Sequence, residues 1–199
     1  MKIMLKEPEY LNITGPGGET STGGSQEWYE DRWHRMSGCG PVAASNLVWY
    51  MTRLGGGIGR YAELMREMYS YMTPGVRGVN SSGIFIDGIT RYGAMAGLDL
   101  SPKVLEIPGR SANRPDVEMV ISFITSALLA DAPVAFLNLS NGALEILESW
   151  HWVTIIALDT DTRRADACDY GNVLSIDIPE WLKTSRLGGC FACFACTAI

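Results

Sequence analysis

The sequence has no apolar run long enough to cross a membrane and no cluster of lysine and arginine of the kind that binds nucleic acid. Its net charge of −6 also disfavours a polyanionic partner. The opening stretch, MKIMLKEPEYLNI, carries acidic residues and a proline where a secretory signal needs an apolar segment. We therefore expect no nucleic-acid partner, no membrane association and a cytoplasmic location.

Histidine is scarce, and cysteine occurs in an odd number. The two histidines are His34 and His151, so a histidine general base must be one of these two residues. The five cysteines stand at positions 39, 168, 190, 193 and 196. In a reducing cytosol this set does not indicate a disulfide framework. Each cysteine is therefore expected to be a free thiol, a metal ligand or a catalytic group.

The overall composition is that of an ordinary globular domain, with 47% hydrophobic and 19% charged residues. A chain of 199 residues is long enough to bury a sizeable core, so we expect a single domain over residues 1–199. Glycine, serine and threonine are dense in residues 12–25. Residues 1–30 are therefore expected to include a loop or an N-terminal arm.

The hydrophobic spacing changes along the chain from helical to strand-like. Helices are predicted over 41–54, 61–72, 80–98 and 114–131, with a short helix over 178–185. Strands are predicted over 133–139, 151–158, 164–170 and 188–199. Helices that precede strands predict an α+β fold, in which an N-terminal helical half packs on a C-terminal antiparallel sheet.

One cysteine stands at the predicted start of a helix, in the stretch MSGCGPVAASNLVWYM of residues 36–51. Gly40 and Pro41, directly after Cys39, fit a strand- or loop-to-helix turn. The positive end of a helix dipole favours the thiolate, which is the nucleophilic form of cysteine. Cys39 is therefore a candidate nucleophile. The alternative is a buried structural cysteine.

A base for this thiolate is offered by His151, which heads the apolar stretch HWVTIIALD. Asp169 ends the next predicted strand, so a hairpin of the two strands would place its carboxylate beside the imidazole. His34 has no comparable carboxylate after it. Taken alone, His151 also fits an ordinary strand-end histidine, and Asp169 also fits a turn cap beside Gly171 and Asn172.

The motifs occur in an order that matches a known family. GCGPVAASN, HWVTIIALD and CDYGN, followed by IDIPEWLKTSRLGGCFAC, resemble the papain-like cysteine peptidases, most closely the bacterial C39-like peptidases. The likeness runs from Ser37 to the C-terminus. It implies a papain-like fold with Cys39 as nucleophile, His151 as base and acid, and Asp169 as the residue that orients the imidazole. It also implies hydrolysis of a peptide or isopeptide bond in a peptide or protein substrate, through an acyl-enzyme thioester and without cofactor or metal.

The chain departs from this family at the residue that completes the oxyanion hole. The family usually carries a glutamine six residues before the cysteine, and Trp33 stands at that position. Gln26, thirteen residues upstream of Cys39, is the candidate donor, with His34 and Asn46 as further candidates. Gln26 also fits a solvated loop residue.

The motif CFACFAC near the C-terminus fits either a metal site or a strand. As a strand it places Cys190 and Cys196 on one face and Cys193 on the other, which favours core packing over metal binding. Aromatic residues near the candidate site are expected to form its walls and the core: Trp33, Trp150, Trp152 and Tyr170.

Three other functions remain open from the sequence. The first is a papain-like acyltransferase or amidase, which would pass the acyl group to another nucleophile. The second is a peptide-binding domain of the same fold with weak or no catalysis, because the oxyanion hole lacks the usual glutamine. The third is a metal-binding protein that uses the C-terminal cysteines.

Overall fold

The structure is a computed structural model that describes residues 1–110 and 113–198. Its strands are β1 Lys2–Met4, β2 Asn12–Thr14, β3 Thr20–Thr22, β4 Leu98–Ile107, β5 Val134–Asn138, β6 His151–Asp159, β7 Arg164–Asp169, β8 Asn172–Asp177 and β9 Gly189–Ala198. Its helices are α1 Arg32–Ser37, α2 Cys39–Thr52, α3 Ile58–Met72, α4 Ser82–Ala96, α5 Val117–Leu129 and α6 Ile178–Thr184. Seven strands form one antiparallel sheet in the order β4-β9-β5-β6-β7-β8, with β1 beside β6.

Helices cover the sheet on both faces. Side chains alternate along β5, so Val134 and Phe136 pack with α5 and α6, whereas Ala135 and Leu137 pack with α2, α3 and α4. The expected α+β class, with N-terminal helices against a C-terminal antiparallel sheet, is confirmed. The helices are not all in one half, because α5 and α6 form a second helical layer on the opposite face.

The helices predicted from hydrophobic spacing are present, with boundaries shifted by a few residues. Ser81 caps α4 by accepting from the Ile84 N–H, and Gly97 ends this helix in the left-handed conformation, with φ +70°. α5 begins after Asp116, whose carboxylate accepts from the Met119 N–H. Among the described residues, no helix combines the length and apolar character needed to cross a bilayer.

β4 was not predicted from the sequence. Within the described residues this strand is an edge of the sheet, and it pairs with β9 from Leu98 opposite Ala198 to Ile107 opposite Gly189. Pro102 has no backbone N–H, and an edge strand tolerates this because one of its sides forms no ladder. No element was predicted over most of this ten-residue strand, since a proline within a run weakens the signal for a strand.

The N-terminal residues are packed against the rest of the domain. β1 extends the sheet beside β6, and β2 and β3 form a separate antiparallel pair. Leu5, Leu11 and Ile13 are each at most 1% exposed. The loop or arm expected within residues 1–30 is therefore an ordered part of the domain, held by its own apolar side chains.

Asn46 connects four parts of the fold through one buried side chain, which is 2% exposed. It lies in α2, and its Nδ2 donates to Thr154 Oγ1 of β6 at 3.0 Å. Its Oδ1 accepts from the Tyr61 hydroxyl of α3 at 2.5 Å and from the Gly24 N–H at 3.0 Å. Two helices, the sheet and the N-terminal segment therefore share the same amide.

Replacing Asn46 with alanine is expected to lower the free energy of unfolding by about 2–4 kcal/mol, because buried polar groups on its neighbours lose their partner. Urea unfolding followed by tryptophan fluorescence measures the loss. Asn12 is exposed, and Asn12→Ala as the control should change the free energy of unfolding by less than about 0.5 kcal/mol. A loss below about 1 kcal/mol for Asn46→Ala would show that the amide does not hold these elements together.

Candidate active site

Cys39 is the first residue of α2, as predicted, but a second helix leads into it. α1 ends at Ser37, and Gly38 alone separates the two helices, with φ −88° and ψ 0°. The expected strand- or loop-to-helix turn is therefore a break between helices. A Cβ on Gly40 would lie 2.7 Å from the Cβ of Val79, so glycine allows the start of α2 to approach the segment before α4.

His151 and Asp169 meet at one end of the β6–β7 hairpin. His151 begins β6 and Asp169 ends β7, and the two strands are antiparallel. His151 Nε2 lies 2.7 Å from Asp169 Oδ1, and the two side chains are 6% and 11% exposed. The carboxylate therefore fixes the orientation of the ring and leaves Nδ1 as the nitrogen for another partner.

Cys39 and His151 line the same cleft, and the Cys39 thiol is one of the groups that raise the pKa of His151. Since Nε2 is bound to Asp169, Nδ1 is the ring nitrogen left for the thiol. The Cys39 Sγ also approaches the carbonyl oxygen of Trp150 at 4.0 Å. Cys39 of α2 thus contacts the residue directly before His151, and His151 of β6 in turn binds Asp169 of β7.

The protonation of His151 is governed by its two partners. Burial alone lowers the pKa of this imidazole, but hydrogen bonds to Asp169 and Cys39, together with their charges, outweigh burial and raise the pKa of His151 from 6.5 to about 10. The imidazolium is therefore the favoured form near neutral pH. It provides a proton donor directly beside the Cys39 sulfur.

A cleft of about 550 Å³ opens beside the sulfur. Cys39 is 8% exposed and lines this cleft together with His151. Met36 and Trp150 border the cleft with 66% and 42% of their surface exposed. The Arg77 guanidinium lies over the Trp150 ring, 5.6 Å from its centroid. The cleft therefore offers both apolar surface and charge.

Gln26 lines the same cleft from the short 3₁₀ helix Gln26–Trp28. Its Nε2 donates to the Tyr170 hydroxyl at 3.0 Å. Its Oε1 is buried and has no hydrogen-bond partner among the described residues. Gln26 is therefore a partly buried residue of the site, in contrast to the solvated loop residue of the alternative interpretation.

The further candidates for the oxyanion donor are engaged elsewhere. Asn46 uses both atoms of its amide inside the fold. His34 packs on Tyr69, with 3.8 Å between the ring centroids. Of the candidate donors, Gln26 is the one that lines the open cleft with Cys39.

The glycine-rich stretch before Gln26 brings that residue to the site. Gly23 adopts a left-handed conformation, with φ +73°. A Cβ on Gly24 would lie 2.4 Å from Cε1 of Tyr61, and the Gly24 carbonyl accepts from the Gly171 N–H at 3.2 Å. The segment is thereby fixed between α3 and the turn after β7. The glycines in this stretch led to the prediction of a loop or arm. In the structure they permit its close packing against the rest of the domain.

The four aromatic residues predicted near the site have different surroundings. Tyr170 stacks on His151, with 5.4 Å between ring centroids and 10° between ring planes. Trp150 borders the cleft. Trp152 is buried in the core at 2% exposure, and Trp33 lies on the surface at 42% exposure. Tyr170 is therefore the ring that shields the imidazole.

The other four cysteines differ from one another in burial. Cys168, Cys190 and Cys193 are buried, and burial raises the pKa of Cys168 to about 12 and that of Cys193 to about 11. Cys190 and Cys193 enter opposite cores from β9, which confirms the predicted alternation, and Cys196 is exposed. Within the described residues, no group of three or more His, Cys, Asp or Glu side chains is arranged to hold a metal ion.

Two charged residues of the cleft were not predicted from the sequence. Arg77 lies in the segment between α3 and α4, and Glu148 lies in the segment before β6. Glu148 Oε2 accepts from the Tyr170 hydroxyl at 3.1 Å. Both residues stand in irregular segments, where neither periodicity nor a spaced motif distinguishes one side chain from its neighbours.

Neither a protein-family model nor a curated protein matches the chain. The indication of function therefore comes from the site itself. Its central feature is a thiol beside a hydrogen-bonded imidazole–carboxylate pair, with Cys39 and His151 at the wall of a cleft.

The raised pKa of His151 is directly measurable, because the chain has only two histidines. We expect His151 to titrate well above 6.5 and Asp169→Asn to lower its pKa, since the carboxylate is lost while burial remains. NMR of ¹⁵N-histidine-labelled protein measures both titrations, and His34→Gln assigns the two resonances. A titration in Asp169→Asn that matches the wild type would contradict the buried pair.

The same shift makes stability depend on pH. A histidine with a raised pKa in the folded state contributes stability that is present below 6.5 and is lost as the pH rises through about 10. The difference in unfolding free energy between wild type and Asp169→Asn should therefore shrink as the pH rises from 6.5 towards 10. If the difference in unfolding free energy instead grows over this interval, Asp169 does not raise the pKa of His151 in the folded protein.

Proposed function

We propose that the protein is a cysteine peptidase of papain-like fold, with Cys39 as nucleophile, His151 as base and acid, and Asp169 as the residue that orients the imidazole. The observation that carries this proposal is that Cys39 lies beside the hydrogen-bonded His151–Asp169 pair, and that Cys39 and His151 line one open cleft. The order of the three residues on an early helix and two later neighbouring strands supports the papain-like assignment.

Acylation of the enzyme uses a thiolate and an imidazolium together, which form when the Cys39 thiol gives its proton to the neutral ring of His151. The Cys39 sulfur attacks the carbonyl carbon of the scissile bond, and a carbon–sulfur bond forms as negative charge collects on the carbonyl oxygen. His151 gives its proton to the leaving amine, and the carbon–nitrogen bond breaks to leave a thioester. Asp169 remains ionised and holds the ring in place throughout.

Deacylation reverses the role of the imidazole. Water attacks the thioester carbonyl while the neutral ring of His151 accepts a proton from it. The carbon–sulfur bond breaks, the acid product leaves, and the Cys39–His151 pair returns to its starting state. The reaction consumes one water molecule and requires no cofactor.

Stabilisation of the developing oxyanion needs donors that are already oriented. α2 begins at Cys39, so the first backbone N–H groups of this helix place positive partial charge at the sulfur. Gln26 supplies the side-chain donor in this proposal, because it lines the cleft that Cys39 also lines.

The lining of the cleft supports a peptide or protein as substrate. Val76 is 87% exposed and adds apolar surface to that of Met36 and Trp150, while Arg77 and Glu148 add one charge of each sign. An extended peptide presents apolar and charged side chains on either side of the scissile bond, and it therefore matches such a mixed surface.

Cys39→Ala is expected to abolish peptide turnover and the fast phase of iodoacetamide labelling at neutral pH, because it removes the thiol beside the imidazolium. Mass spectrometry of a peptide library measures turnover, and the intact mass of the protein measures labelling. Cys196→Ala is the matched control, since it removes an exposed thiol of β9 and is expected to retain both activities. Circular dichroism checks that both variants fold.

Other outcomes distinguish the rival functions. Fast labelling that persists in Cys39→Ala would show that another cysteine is the nucleophile. A wild-type protein that binds peptides of the library without cleaving them would favour a peptide-binding domain. Products that carry an added amine in place of water would favour an acyltransferase.

A further inference from the structure

Tyr170 occupies a backbone position that an aromatic residue rarely takes. With Gly171 it forms the two-residue turn between β7 and β8, and the φ values are +47° and +77°. Turns with two positive φ values favour Asn-Gly or Asp-Gly, and a bulky residue at the first position is strained. An aromatic residue here needs an explanation other than the turn itself.

The Tyr170 side chain connects three groups of the candidate active site. Its ring is stacked on the imidazole of His151, with 5.4 Å between the centroids. Its hydroxyl accepts from Gln26 Nε2 at 3.0 Å and donates to Glu148 Oε2 at 3.1 Å. Gln26, Tyr170 and Glu148 form a series of hydrogen bonds that we call the glutamine relay.

The ionised carboxylate of Glu148 fixes the direction of the glutamine relay. A carboxylate only accepts, so the single hydroxyl proton of Tyr170 is committed to Glu148. The Tyr170 oxygen must then accept from Gln26, which requires the amide nitrogen to face the hydroxyl. The opposite orientation of the amide would bring two oxygens together with no proton between them.

This orientation of the Gln26 amide has an energetic cost. Its Oε1 is buried and unpartnered in the described part of the chain, which is unfavourable for a carbonyl oxygen. One N–H of Nε2 serves Tyr170, the other has no partner among the described residues, and Gln26 lines the cleft. An amide fixed in this way is a preorganised donor.

We propose that Tyr170 and Glu148 are positioning residues that hold the Gln26 amide as the donor to the oxyanion. The inference rests on the proposed function, because an oxyanion forms only if Cys39 attacks a carbonyl. It explains how a glutamine thirteen residues before Cys39 is held at the site, since residues at the ends of sheet strands fix its side chain.

Tyr170→Phe tests the glutamine relay because it keeps the ring on His151 and removes the hydroxyl. We expect kcat to fall by about tenfold to a hundredfold with little change in KM, since the donor acts mainly when charge develops. Gln26→Ala is expected to lose about a hundredfold. Adding Tyr170→Phe to Gln26→Ala should cause no further loss, because the two residues act as a unit.

Glu148→Gln tests the direction of the glutamine relay. The new amide can donate to the Tyr170 oxygen, which frees the hydroxyl proton for Gln26 Oε1, so kcat is expected to fall as in Tyr170→Phe. Glu148→Asp keeps a group that only accepts and should recover part of the loss. Glu145→Gln, at an exposed acid of the same segment, is the matched control and should keep the wild-type kcat.

A measurement independent of turnover is available, because Gln26 is the only glutamine in the sequence. Selective ¹⁵N-glutamine labelling therefore gives the signals of one side-chain amide. In the wild type one amide proton should be hydrogen-bonded and protected from exchange with solvent. Tyr170→Phe and Glu148→Gln should remove this protection, while Glu145→Gln should not.

The outcomes separate the glutamine relay from the proposed function and from simple damage to the fold. Full kcat in Tyr170→Phe and Glu148→Gln, or losses that persist in Gln26→Ala, would overturn the relay. If the wild type cleaves no peptide, the proposed function fails, and protection of the Gln26 amide alone then decides the relay. An unchanged His151 pKa in Tyr170→Phe excludes damage to the His151–Asp169 pair. Tyr170→Asn suits the turn and is the second variant if Tyr170→Phe does not fold.

Discussion

The hydrogen bond between His151 and Asp169 is the interaction on which the rest of the site depends. Burial favours the neutral form of the imidazole, and the carboxylate on the neighbouring strand reverses this preference. The same bond occupies Nε2, so the ring presents its other nitrogen to Cys39. The pairing of β6 with β7 therefore places Asp169 beside His151. Without this pairing, the ring beside the Cys39 sulfur would be an ordinary buried histidine.

A single buried amide locates the segments that carry the site. Asn46 lies seven residues after Cys39 in α2, and it bonds Thr154, which lies three residues after His151 in β6. The contact between helix and strand is thus fixed close to the ends that bear the thiol and the imidazole. The same side chain accepts from Gly24, two residues before Gln26. Burial of this polar group therefore serves geometry, because each of its partners positions a different part of the site.

Local chemistry explains what the sequence could predict. Cys39 was recognisable from glycine and proline at a helix start, and the His151–Asp169 contact from two neighbouring strands with a short connection. β4 was hidden because its pairing with β9 is distant in sequence and Pro102 interrupts its pattern. The contact of Gln26 with Tyr170 joins residues 144 positions apart, and no local pattern encodes such a bond. The glycines before Gln26 indicated a loop, whereas their function depends on the side chains that pack against them.

Among the described residues, six non-glycine residues have a positive φ, and two of them flank the pair. Trp150 precedes His151 with φ +61°, and Tyr170 follows Asp169 with φ +47°. Residues in this conformation persist only where other contacts hold them. The Trp150 carbonyl faces the Cys39 sulfur, and the Tyr170 ring covers the imidazole. A residue better suited to the turn would relax the backbone of the hairpin but uncover His151 and release the Gln26 amide. Stability of the hairpin and order of the site therefore oppose each other at Tyr170, and the aromatic residue there favours the site.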